Sequence, residues 1–245
     1  MKQLNSLLEQ SVNHPFFTSV LLIMATIVLY QFFAYIQNRC QRIWLNPMIL
    51  TILVIIPCLL LTGLKFEQYF QATQSLNALL EPAVVALGFP LYQHLTSIKY
   101  QWKLLGLLLM LGVFIVITIS FTLTMILISL PEIAISLSLK SVTTPIGIAL
   151  SEQLNGDNSI TAFAIILAGL FGALLGPSWL KFINVHSAKA QGLAIGAASH
   201  AIGTASVGKI SYEHGAYSSL ALIVSAVLTA LFSPILIKFL HLLFL

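Results

Sequence analysis

Charge is what this sequence has least of. Only 7% of its 245 residues are Asp, Glu, Lys or Arg, against about 25% in an ordinary soluble domain. That scarcity excludes a water-soluble fold. Carboxylates number seven, and neither paired carboxylates nor a histidine–cysteine spacing suggests a metal centre. Two cysteines, Cys40 and Cys58, make no disulfide framework and are expected as unpaired thiols. No GxSxG, HExxH or Walker pattern occurs, so no catalytic residue, enzyme activity or cofactor is expected. The net charge of +4 comes from loop lysines and arginines and implies no nucleic-acid partner. No polar stretch is long enough for a soluble domain. One membrane domain is expected over 1–245, with 1–15 a short polar N-terminal segment. An apolar run of about 20 residues follows that segment, too long for a signal-peptide core and without a cleavage site.

What is abundant is apolar surface. Hydrophobic residues make up 58% of the chain, and mean hydropathy is +0.98. The expectation is an all-α polytopic membrane protein with about seven or eight hydrophobic segments, some broken or re-entrant. Phe16–Ile36 is the first span. Arg39 and Arg42 follow it and predict a cytoplasmic loop, hence an external N-terminus, with Trp44 as interface anchor. Pro47–Leu64 returns outward, with Pro57 a kink, and 65–75 is an outer loop. Leu76–Leu95 is interrupted by Pro82, Gly88 and Pro90. Lys103–Leu130 is the longest clean apolar run. Glu132–Leu150 carries Lys140, Ser141, Thr143, Thr144, Pro145 and Gly147. The charge rule favours a re-entrant dip there, leaving Glu152 and Asp157 outside and Lys181 and Lys189 inside. Ile160–Phe182 then crosses inward, Gln191–Lys209 outward and Ala216–Leu240 inward, putting Lys238 and the C-terminus in the cytoplasm.

Gln191–Lys209, QGLAIGAASHAIGTASVGK, is long enough to span but too small and polar for a lipid-facing helix. Such a stretch survives at membrane depth inside protein or beside a water-filled cavity. Ser199, His200, Gly203 and Thr204 cluster in it. An intramembrane histidine points to a functional site; the bland alternative is a small-residue packing face with a hydrogen-bonded histidine. Aligning Ala86-Leu87-Gly88 with Ala201-Ile202-Gly203 pairs two interrupted helices in opposite directions, suggesting an inverted repeat.

Three stretches carry candidate chemistry. Lys140, Ser141, Thr143 and Thr144 precede Pro145, which suits a half-helix N-terminus facing a small carboxylate. Burying Lys140 costs roughly 2.5 to 3.5 kcal/mol, and the bland alternative is a snorkelling lysine beside a proline kink. Ser199, His200 and Thr204 complete the expected substrate site. His200, which titrates near neutrality, and Glu81, at the mouth of the first break, are candidates for carrying a coupling ion. Glu81 suits an interfacial helix-start carboxylate as well. Ala168, Gly172 and Gly176 fall at four-residue spacing, a helix-packing signal.

Glu81-Pro82-Ala83, Pro90-Leu91-Tyr92, Lys140-Ser-Val-Thr-Thr-Pro145 and Ala198-Ser-His-Ala-Ile-Gly-Thr-Ala205 resemble the LrgB/CidB family, YohK-type proteins included, in order and spacing. The resemblance runs from about residue 20 to the end. It implies a bacterial inner-membrane protein, often encoded beside a small LrgA/CidA-type holin-like partner, with an antiholin-like role in murein hydrolase export and lysis. The family is also similar to the membrane domain of the plastidial glycolate/glycerate translocator, and some members are linked to pyruvate uptake. Two functions follow as expectations. One is a proton-coupled secondary transporter of small monocarboxylates of the glycolate, glycerate, lactate and pyruvate class, working by alternating access. The other is an antiholin-like regulator that binds a holin-like partner laterally, for which the Gly172–Gly176 face is available. Packing alone gives no reason to bury Lys140 and His200, which favours transport. The lipid bilayer is a partner in either case, and a homo-oligomer is compatible with both.

Overall fold

Apolar runs become helices throughout. The computed structural model describes residues 15–40, 45–86 and 88–244, and no strand occurs among them. Arg42, Trp44, Leu87 and the side chain of Glu81 lie outside the described positions. The residues divide into two compact units, one up to Ala83 and one from Val84 on.

In the first unit α1 spans Pro15–Cys40 and α2 spans Pro47–Thr62. The Asn46 side chain caps α2 by accepting from the Met48 N–H at 2.9 Å. Gly63 ends it at φ 70, in the left-handed region. The chain then bends by 117° into α3, Phe66–Ala72, a helix where a loop is expected from sequence. Tyr69 of α3 meets Thr26 of α1 through their hydroxyls at 2.9 Å. Cys40 and Cys58 are free and exposed.

Short helices α4 (Gln74–Ala78), α5 (Leu80–Ala86), α6 (Gly88–Gln93) and α7 (Leu95–Tyr100) follow; Pro82 and Pro90 stand inside α5 and α6, and the expected break before Gly88 falls at Leu87, outside the described residues. The second unit is then built on three long helices: α8 Trp102–Ile128, α11 Asn158–Phe182 and α13 Tyr212–Leu243. Between them lie α9 Pro131–Ser138, α10 Thr144–Leu154 and α12 Ala188–Gly208. Four described helices are long and apolar enough to cross a membrane, or five if the bent pair α2–α3 counts as one. The expected seven or eight segments are therefore reduced, because several are short or folded back. The chain is a multi-pass membrane protein.

The segment from α9 to α10 is a hairpin. Ser136 Oγ accepts from the Asp157 N–H at 2.8 Å, although 21 residues separate them. Pro131 and Glu132 line the same surface cavity as Leu154 and Asn155. The segment thus begins and ends at one end of the unit, as the re-entrant reading expects.

α12 departs from expectation. Straight, its 21 residues would extend about 30 Å and cross. Instead it folds at His200, whose backbone is non-helical at φ 41 and ψ −136. The incoming arm runs antiparallel to α11: Ile195 lies by Gly176 and Ser199 by Gly172. The outgoing arm reverses, so that Ser206 Oγ donates to the Ala173 carbonyl at 3.3 Å. A β-carbon built on Gly203 would come 2.9 Å from Ile195 Cγ2, eight residues back. Eight residues of straight helix would separate those positions by about 12 Å. The second hairpin therefore opens at the opposite end from the first.

Two sequence expectations fall with it. Gln191–Lys209 does not cross, so every later element is inverted. α13 ends where Lys238 and His241 line the same cavity as Glu132 and Asn155, not on the opposite side as expected. Within the second unit the segments that open at opposite ends are 131–155 and 188–208. Each hairpin follows one long helix, α8 or α11, in opposite senses.

Candidate functional site

Small residues make the second hairpin fit. A β-carbon on Gly196 would collide with the Ser218 carbonyl, and one on Gly192 would lie 2.7 Å from the His214 carbonyl. The incoming arm therefore touches α13 nearly backbone to backbone. On the other side Gly169 faces His200 and Gly172 faces Ser199. The small-residue spacing of α11 is thus a packing signal, as expected. It is occupied by this chain's own α12, so the Gly172–Gly176 face is not free for a lateral partner.

His200 is 3% exposed. Its Nε2 lies 2.9 Å from the Ile165 carbonyl oxygen. A carbonyl only accepts, so Nε2 carries the hydrogen and Nδ1 of the neutral ring is bare. Thr204 Oγ1 donates to the His200 carbonyl at 2.8 Å and accepts from Ser218 Oγ at 2.8 Å. The His200 carbonyl at the break is satisfied by the Thr204 hydroxyl, which Ser218 in turn holds in place. Thr204 is committed to this chain, and Ser199 is packed on Gly172.

The first hairpin breaks over Lys140–Thr143. Pro145 stands in the first turn of α10, and Thr143 precedes it with an extended backbone and no side-chain cap. Lys140 Nζ donates to Ser120 Oγ of α8 and to the Leu137 carbonyl. Neither partner is charged. Gly147 backs onto α11, where a β-carbon would collide with the Ile165 side chain. Sequence reasoning has Pro145 and the Ser199–Thr204 break meeting near the midplane, with His200 in reach of the substrate or of Thr143 and Thr144. In the structure the two hairpins share Ile165 of α11: its side chain abuts Gly147 and its carbonyl takes His200.

A cavity of about 400 Å³ lies between the hairpins. Leu108, Gly112 and Val116 of α8 form one wall, and Ala194, Ala197 and Ala198 of α12 another. Ser138 and Ser141 close the end at the first hairpin, and Ser225 and Thr229 face it from α13. Of the expected site residues only Ser141 lines it. Ser138 and Ser225 donate to the Ala134 and Ala221 carbonyls of their own helices. Ser141 and Thr229 have no hydrogen-bond partner among the described residues. Thr229 was missed from sequence; its one signal is four-residue spacing from Ser225, which places two hydroxyls on one helix face.

Residues 26–239 match the model of the LrgB-like family. The chain belongs to that family. Among its LrgB relatives, Holin-like protein CidB of Staphylococcus aureus is 32% identical over 219 residues, 89% of this chain and 96% of the relative. Holin-like protein CidB of Staphylococcus epidermidis is 34% identical over 224 residues, 91% and 98% of the two chains. An uncharacterized protein of Haemophilus influenzae is 30% identical over 206 residues, 84% and 89%. No solved structure matches this LrgB chain.

Proposed function

We propose that this LrgB-family chain is a secondary transporter of small monocarboxylates, of the glycolate, glycerate, lactate and pyruvate class, working by alternating access in a bacterial inner membrane. The observation that carries this reading is the pair of hairpins opening at opposite ends and flanking one cavity. Broken helices around a central site are the arrangement on which transporters build substrate sites. Lys140 supplies the positive charge, and Ser141, Thr143 and Thr144 supply donors at the tip. His200, with Nδ1 open to a proton, and Glu81 are the coupling candidates. Ser199 and Thr204 act here by holding the second tip in shape. The family match crosses the boundary between the units, which supports one LrgB-like domain.

Sidedness follows from charge. Lys99, Lys103, Lys181, Lys189 and Lys209 gather at the mouth of the second hairpin, while Glu132, Glu152 and Asp157 gather at that of the first. The positive-inside rule makes the lysine end cytoplasmic. The C-terminus is then outside, and the N-terminus, by Arg39, outside as well. Single cysteines in a background lacking Cys40 and Cys58 test this with an impermeant thiol reagent on intact cells. A cysteine at Asp157 or Lys238 labels; one at Lys189 or Lys209 does not.

The test of transport is uptake of labelled glycolate, lactate and pyruvate into proteoliposomes, with and without a pH gradient. Uptake stimulated by an inward proton gradient is expected, and His200→Gln flattens its pH dependence. No uptake of any acid overturns the reading. The second reading, lysis control with a holin-like LrgA/CidA-type partner, is favoured by the names of the relatives, which are holin-like. Its signature is altered murein hydrolase export and lysis that needs the partner but survives Lys140→Met.

A further inference from the structure

The cavity is unlike the acids just named. Glycolate and glycerate are nearly all polar, whereas this cavity is walled by leucine, valine, alanine and glycine, and its polar side chains are four hydroxyls. Its volume of about 400 Å³ falls within the range of pockets that hold whole drug-sized ligands. An apolar wall of that extent is unsatisfied by a short acid, which leaves most of the space to water with few polar partners.

The polar lining is Ser138 and Ser141 of the first hairpin and Ser225 and Thr229 of α13. At the first hairpin, Lys140 is next to Ser141 in the chain, does not itself line the cavity, and has only neutral partners among the described residues. At α13, Thr229 is 4% exposed, lines the cavity and has no partner. Its hydroxyl is open to the cavity rather than sealed, so water or an occupant supplies its hydrogen bond. Gly112 opens the α8 wall of the cavity: a β-carbon built there meets nothing within 4 Å.

We propose that the cavity binds monocarboxylates with a hydrocarbon tail, such as longer or branched 2-oxo acids. The carboxylate lies at the Lys140–Ser141 tip, the 2-oxo group accepts from Thr229, and the tail lies along Gly112, Val116 and Ala197. This rests on the transport reading and sharpens its substrate class. Each methylene moved from water into the apolar wall strengthens binding about fourfold.

The test is calorimetric titration of the full chain in lipid nanodiscs with pyruvate, 2-oxobutyrate, 2-oxopentanoate and 2-oxohexanoate. Affinity rises along the series, by on the order of 50-fold from first to last. Gly112→Leu fills the tail space and flattens the rise while pyruvate still binds. Thr229→Val weakens 2-oxopentanoate about tenfold and leaves pentanoate, which lacks the oxo group, unchanged. Affinity that is flat or falls with chain length in the wild type overturns the tail-binding assignment and leaves transport of short acids intact. No heat with any acid, together with no uptake in proteoliposomes, overturns both.

Discussion

The two hairpins reach one α11 residue, Ile165, by opposite chemical routes. The first is broken by what it contains: Lys140, Ser141 and Thr143 lead into Pro145, and none of them has a positive φ. The second contains residues that permit an unbroken helix, and it is broken by one residue, His200 at φ 41. A non-glycine residue held there stores roughly 1 to 3 kcal/mol of strain. The glycine contacts with α11 and α13 and the bond to Ile165 hold it in place. The first tip faces the cavity with the free hydroxyl of Ser141, and Lys140 stands next to it in the chain. The second tip is closed, with the His200 carbonyl, the His200 Nε2 and the Thr204 hydroxyl bonded inside and Nδ1 left for a proton. One architecture thus serves as an open end and as a fixed wall.

Variants test that contrast. The largest effect is expected at the open tip. Lys140→Met loses roughly 2 to 5 kcal/mol of carboxylate binding, about 30- to several thousand-fold in affinity, with the thermal midpoint little changed. Unchanged affinity would remove Lys140 from the site. At the wall, Gly196→Ala forces a methyl into the Ser218 backbone and costs about 1 to 3 kcal/mol, read as a lowered thermal midpoint in detergent. A midpoint equal to wild type would show that α12 and α13 are not in backbone contact. The smallest effect carries the clearest sign. In a helix interior alanine is more stable than glycine by about 1 kcal/mol. At His200 the order inverts, and His200→Gly is the more stable of the pair, because alanine pays for positive φ and glycine does not. The usual order would mean that α12 is an unbroken helix.

Much of this was legible in residues. Lys103–Leu130 and Ile160–Phe182 became α8 and α11 because long apolar runs have one stable form in lipid. The dip at Glu132–Leu150 was readable from the charge rule, which keeps Lys181 and Lys189 on the side opposite Glu152 and Asp157. The fold of α12 was not, since glycine, alanine and serine allow both the straight and the folded form, and the turning residue is neither glycine nor proline. That one ambiguity inverted the predicted placement of Lys238. The cavity was half legible. Ser141 stood in a polar string, but Thr229 lay in an apolar run, and its role depends on which face of α13 meets α8 and α12.

The weak hydropathy of Ala188–Gly208 also bears on how the protein is made. α11 and α13 are apolar enough to partition into lipid on their own, and the helix between them is not among those that can. Insertion therefore places α11 and α13 first, with 188–208 left at the lysine-rich surface. Only then do Gly169 and Gly172 on one side and the α13 backbone on the other offer it a groove. The second hairpin is a late insert, and the central cavity has no second wall until it arrives.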